Sequence, residues 1–207
     1  MNILVIYIIA FASILLSDFS VSEFFSKNEE KEIILNEGVK IKLLIEETSF
    51  SAMNTYNEIE IWIGSHRVYK EESATEYIFD NNIWPQARKV ENGIYEVVIE
   101  VFDAPDINKL HAFYFKGNNL INTKVLPFFG SMPEDINYDG SKEFFGVMHI
   151  SDAHENPDSC YYNPVLYYKV SNSGIDLDSS LTIQMNKKIW GDFYGFEQNE
   201  IILPCAR

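Results

Sequence analysis

Basic residues and cysteine are scarce in this chain. Lys and Arg total 16 against 31 Asp and Glu, a formal net charge of −15 over 207 residues. A nucleic-acid binder needs a basic surface to meet phosphate, so that class is excluded. A surface held on anionic lipid by basic residues is excluded for the same reason. No Gly-rich phosphate loop, no G-x-S-x-G and no S-x-x-K occurs, so neither phosphoryl transfer nor serine hydrolysis has a signature here. There is no Asn-x-Ser/Thr sequon, no repeat of propeller length and no low-complexity linker. What the chain does have is apolar surface: 46% hydrophobic and 14% aromatic residues, enough for a sizeable core and incompatible with disorder.

Long apolar runs are also missing, save one. Ile3 to Leu16 is apolar except for Tyr7 and Ser13. It has the length of a signal-peptide core and is short for a bilayer span of roughly 20 residues. Ser17, Ser20 and Ser22 supply small residues for a peptidase, which places the signal peptide at residues 1–22. An uncleaved anchor is the rival reading. With no Cys near Ser17 to Ser22, no lipoprotein anchor is indicated. The two cysteines fit export. In an oxidising compartment Cys160 and Cys205 would close a loop of about 46 residues, stabilising by roughly 4 kcal/mol. The rival there is two buried thiols. The expectation is a secreted or periplasmic protein with no membrane attachment after signal cleavage.

Residues 23–207 are expected to form one mainly β domain, an antiparallel sandwich or open barrel with few short helices. Residues 23–32 read as a solvated lead-in. Strands are predicted at 38–47, 58–63 (EIEIWI, cleanly alternating), 94–102 after the Asn92-Gly93 turn, and 144–150. Hairpins are predicted at 110–115 with 120–126, around Lys116 to Asn119, and at 165–170 with 181–184, around Ser171 to Gly174. A last strand is predicted at 189–196, and the best helical stretch at 71–79. A compositional seam at 127–133 allows two packed halves.

One constellation carries chemistry. Residues 135–143 read D-I-N-Y-D-G-S-K-E. Calcium takes six to eight hard oxygens at about 2.3–2.6 Å. In a curled loop, side chains at alternating positions converge: Asp135, Asn137 and Asp139. Gly140 supplies the sharp turn, Ser141 a backbone carbonyl, and Glu143 a ninth-position acid. Position twelve is Gly146 rather than Glu and the flanks read as strands, so this is not an EF-hand. The alternative is an Asx-rich turn that bonds only its own backbone.

Weaker candidates follow. His149, Asp152, His154 and Glu155 (H-I-S-D-A-H-E) have metal-binding side chains without the H-E-x-x-H helix pattern, and a polar loop rim is the preferred reading. The acid pairs Glu96 with Glu100, or Asp103 with Asp106, could suggest a glycan hydrolase. Four residues along a strand, however, separate two carboxylates by about 13 Å, too far for a retaining pair. Tyr161, Tyr162, Tyr167, Tyr168, Trp190, Phe193, Tyr194 and Phe196 are read chiefly as core, and Trp84-Pro85 as the better exposed recognition candidate.

The D-x-N-x-D-G-x-x-E loop followed directly by Phe144-Phe145-Gly146 resembles the calcium loops of FG-GAP/VCBS-type repeats. That resemblance covers about 40 residues. It implies Asp135, Asn137, Asp139, Ser141 and Glu143 as ligands of a structural Ca2+, and a strand pair before the loop. The segments EVFDAPDINKL, DINYDGSKEFFG, YNPVLYYKVSNSG and KKIWGDFYGF, between Glu100 and Phe196, resemble uncharacterised exported proteins of Bacteroidetes-type bacteria. A more distant likeness is to periplasmic lysozyme-inhibitor-like proteins. The expectation is therefore a non-enzymatic exported module with one calcium loop that binds a protein or glycan. A lysozyme inhibitor and a glycan hydrolase are the alternatives.

Overall fold

A computed structural model describes residues 30–44, 55–79, 82–150 and 155–205. The signal segment and its cleavage site lie outside the described residues.

The chain is mainly β, in antiparallel sheets. The largest holds eight strands: β1 (Glu30–Ile34), β2 (Val39–Leu44), β3 (Thr55–Ile63), β4 (His66–Ile78), β5 (Gln86–Val90), β6 (Ile94–Phe102), β7 (Lys109–Lys116) and β8 (Asn119–Pro127). Its order is β1-β2-β3-β4-β6-β7-β8. Strands β4 and β5 share one edge of β6: Glu76 to Ile78 pair with Glu100 to Phe102, and Gln86 to Val90 with Ile94 to Val98. Register shifts at Tyr56/Glu58 and Ile61/Trp62 bend the β3–β4 pair. The sheet curls until β4 approaches β8, so its two halves enclose a single core.

Strand β6 shows why this works. Val97, Ile99 and Val101 point into the core inside the curl, with Ile41, Ile59 and Phe113. Val98 points the other way, into a second core with Leu110, Ala112 and Leu126. A strand buried on both faces loses the apolar–polar alternation, which accounts for the near-continuous apolar run IYEVVIEVF.

The second core is capped by a three-stranded sheet, β9 (Lys142–Gly146), β11 (Leu166–Ser171) and β12 (Gly174–Leu177), in the order β12-β11-β9. Helix α1 (Ser179–Trp190) covers the far side of β11. A two-stranded ribbon, β10 (Ser159–Tyr161) with β13 (Ile202–Pro204), carries the disulfide Cys160–Cys205, so those cysteines are bridged.

Several expectations need correction. The stretch 71–79 is not helical; it belongs to β4, where pairing to β3 and β6 overrides two turns of weak helical period. The lead-in ends in β1, which pairs with β2 from Glu30 onward. Residues 181–184 are not the hairpin partner of β11. That partner is β12, and 181–184 lie in α1, whose N-cap Asp178 accepts from the backbone N–H of Leu181 at 2.9 Å. The predicted strand 189–196 is the last turn of α1 and the loop beyond it, where Gly191 caps the helix in the left-handed region. The predicted strand 144–150 stops at Gly146. Trp84 is not exposed: it is 1% accessible, and its indole N–H donates to the Phe129 carbonyl at 3.0 Å.

Hairpin β11–β12 is welded to the large sheet by polar contacts. The N–H of Ile175 donates to Glu96 Oε1 at 2.9 Å. Arg88 pairs with the other Glu96 oxygen, and its Nη1 donates to the Ser171 carbonyl at 3.3 Å. Gly174 makes the approach possible. Its φ is +134°, and a Cβ there would lie 3.0 Å from Glu96 Oε1.

Candidate metal centre

The chain leaves the large sheet after Pro127 and reaches the loop 134–143 before entering β9. A two-way backbone bridge shuts the loop: Glu134 N–H donates to Glu143 O at 3.0 Å, and Glu143 N–H to Glu134 O at 2.8 Å. Between them the chain coils on its own acidic side chains. Asp135 accepts from the N–H of Asp139 at 3.1 Å and of Gly140 at 3.0 Å. Asn137 Oδ1 accepts from the Asp139 N–H at 3.0 Å. Asp139 accepts from the Ser141 N–H at 2.7 Å and from the Asn137 amide at 3.1 Å. The sharp turn falls at Gly140, with φ +85°, as the sequence predicts. Tyr138 also has positive φ and is 92% exposed, so its ring is turned away into solvent.

Beneath this coil lies Glu143, 1% accessible. Its Oε2 accepts from the Ile136 N–H at 3.2 Å. Its Oε1 is buried and has no hydrogen-bond partner among the described residues. Burial raises the Glu143 carboxyl above the usual carboxylate range, and the charges on Asp139 and Asp135 push the same way. Asp139 is held low by the Ser141 N–H and hydroxyl and by the Asn137 amide. A cation lies beside it: the Lys169 ammonium is 3.7 Å from Asp139 Oδ2. All five predicted ligands are thus gathered in one closed loop. Among the described residues no three Asp, Glu, His or Cys side chains already form a group that could grip a metal. The Asp135 and Asp139 oxygens are engaged by the loop's own amides, although an ionised carboxylate offers about four lone-pair sites and retains capacity for an ion.

The other candidates are dispersed. Asp152 and His154 lie outside the described residues, and Glu155 is exposed. His149 is instead bonded to Asp106, with Nδ1 at 2.6 Å from Oδ2. Asp106 Oδ1 also accepts from the N–H of Ile150 and of Ile107, each at 2.8 Å, and the His149 carbonyl accepts from Asn163 at 2.8 Å. Burial would raise the Asp106 carboxyl, but these donors outweigh it and hold it at about 2. Asp103 pairs with Lys109. Glu100 accepts from the Asn108 amide at 2.7 Å, and Glu96 pairs with Arg88. Each of the four acids singled out in pairs therefore has its own separate partner. Sequence reasoning missed the Asp106–His149 and Arg88–Glu96 contacts. The first spans 43 positions and has no local signal, whereas the second is a cross-strand pair readable from the β5–β6 hairpin register.

No protein-family model, curated protein or solved structure significantly matches the chain.

Proposed function

We propose that this is an exported, non-catalytic β module whose 135–143 loop binds one structural calcium ion, and that it acts by binding a protein or glycan partner. One observation carries the calcium reading: Glu143 Oε1, a carboxylate oxygen buried under the acidic loop with no partner among the described residues. Leaving such a group unsatisfied costs about 1–3 kcal/mol, more for a charge. A divalent cation removes that cost and the mutual repulsion of Asp135, Asp139 and Glu143 together. Asp135, Asn137, Asp139 and Glu143 would supply side-chain oxygens, and Ser141 its carbonyl. The ion would hold the crossing from the large sheet to β9 at a fixed angle. Chemistry on a substrate is not its role.

Export is supported by the bridged Cys160 and Cys205, because disulfides persist in oxidising compartments. Among the described residues no helix is long and apolar enough to cross a membrane. A site of 10⁻⁴–10⁻³ M affinity, usual for extracellular modules, stabilises by up to about 1.5 kcal/mol at millimolar calcium. Scanning calorimetry in calcium against EDTA should therefore show a rise in melting temperature of up to about 5 °C. Asp139→Ala should abolish that rise. An identical melting temperature in both buffers would overturn the calcium reading.

A further inference from the structure

Strand β11 runs between β9 and β12, and its Lys169 stands opposite Glu143 on one side and Asp176 on the other. Residues directly opposite each other share a face, so these three side chains form a row across the small sheet. The acidic loop covers the Glu143 end of that row: Glu143 is buried, and its Oε2 accepts from the Ile136 N–H of the loop. Lys169 comes next in the row and reaches the same loop, its ammonium 3.7 Å from Asp139 Oδ2. Both of those side chains are partly exposed.

This ammonium answers the charge that a calcium ion would answer. Asp135, Asp139 and Glu143 bring three acids to the loop, and the Lys169 charge acts on both Asp139 and Glu143. While the loop is free of a divalent ion, Lys169 offsets part of their mutual repulsion. Once an ion is bound, ammonium and ion are like charges on a shared carboxylate. At such a separation in water, that repulsion weakens a divalent ion on the order of tenfold. Calcium loops are tuned by the charge of their surroundings in this way. Lys169 also has a second carboxylate beside it. Asp176, its opposite number on β12, lines with it an open hollow of about 390 Å³ at the start of α1. Asp176 already accepts from Lys124 at 2.5 Å and from the Ser173 hydroxyl at 3.2 Å, and a carboxylate retains lone pairs for a further donor.

On the calcium reading above, on which this rests, we propose that Lys169 is a resident competitor at the calcium loop. It neutralises Asp139 while the loop is free, turns to Asp176 when calcium enters, and so sets the calcium concentration at which the loop fills.

The test is a calcium titration of the whole chain, followed by the NMR shifts of the Gly140 and Ser141 amides, on wild type, Lys169→Gln and Lys169→Arg. Lys169→Gln removes the charge and should tighten calcium about tenfold. Lys169→Arg keeps the charge and should stay within about threefold of wild type. In EDTA, Lys169→Gln should melt no higher than wild type, because its free loop has lost a counter-charge, and its rise in melting temperature with calcium should be the larger of the two. Damage to the loop or to β11 would weaken calcium, so a gain in affinity reports lost competition and not a disturbed fold. Equal or weaker calcium binding by Lys169→Gln, beside a wild type that binds, would overturn the role of Lys169 and leave the calcium reading standing. A gain of the same size in Lys169→Arg would also overturn it, since the charge would then not be the cause. No binding by wild type and Lys169→Gln alike would overturn both.

Discussion

Asp106 shows how one side chain can organise a loop far from it in sequence. Its carboxylate takes three donors, the N–H groups of Ile107 and Ile150 and the ring of His149. It therefore ties the end of β6 to the segment beyond β9. Burial pushes its carboxyl up, but these donors outweigh that and hold it at about 2, below the usual carboxylate range. The folded protein thus binds this proton less tightly than the unfolded chain. The stabilisation is present above about pH 4, and is lost as the pH falls through 4 towards 2. For a carboxylate still partly reached by solvent, the contribution is about 1 kcal/mol. Asp106→Asn should leave a urea midpoint that is lower at pH 6, with the deficit shrinking to about a third of that by pH 2.5. A variant whose deficit stays constant across that range would show that Asp106 acts through packing and not through its charge. None of this was visible in the sequence, which grouped Asp106 with Asp103 and His149 with its near neighbours, because a contact over 43 positions leaves no local pattern. Trp84 was misread for a related reason. Polar neighbours suggest exposure, but the cavity that receives its ring is built by Phe129 and Phe144, both distant in sequence.

At the scale of elements, legibility followed period and turn chemistry. Strand β6 begins and ends at the residues its sequence predicts, and β7 and β8 fall within a residue of theirs, because Asn92-Gly93 and Gly117-Asn118 fix the turns on either side. The tight turn of loop 134–143 was equally readable, since Asp, Asn and Gly at fixed spacing state their own backbone conformation. Helix α1 was not legible. Its buried positions include Thr182 and Asn186, two polar residues that break the apolar stripe a reader looks for. Both are there to serve β11. Thr182 Oγ1 accepts from the Tyr167 N–H at 3.0 Å. Asn186 accepts from the Val165 N–H at 3.0 Å and donates to its carbonyl at 2.7 Å. The helix thus completes backbone pairing that no strand supplies on that side. Asn186→Leu would leave both part-buried Val165 groups without these partners, at a cost of about 3 kcal/mol. The melting temperature should fall by roughly 6–12 °C. The exposed Lys188→Ala should move it by less than about 2 °C. Equal effects would mean that α1 merely rests on β11.

For the molecule as a whole, the question is what keeps the last quarter of the chain in place. The eight-stranded sheet is secured by two cores and a long hydrogen-bonded ladder, but the ribbon β10–β13 joins only three residues on each side. After α1, the segment back to β13 is held mainly by Tyr162, whose hydroxyl donates to the Gly195 carbonyl at 2.8 Å and whose ring meets Trp190 and Tyr194 edge-on. The disulfide reinforces this anchorage. With 45 positions between Cys160 and Cys205, closing the loop removes chain entropy from the unfolded state worth about 4 kcal/mol. The bridged segment includes β11, β12 and α1, and with them most of the small sheet that caps the second core. Cys160→Ala/Cys205→Ala should therefore unfold at a urea concentration lower by roughly 1.3–4 M, given m values of about 1–3 kcal/mol/M for small proteins. The denaturant dependence should also split. Hydrogen exchange of β10, β13 and α1 should quicken before that of β6 and β7, because regions with few buried apolar contacts open first. A single transition in which all amides exchange together would instead show that the small sheet is bound to the large one by the Glu96 and Arg88 contacts strongly enough to need no covalent tie.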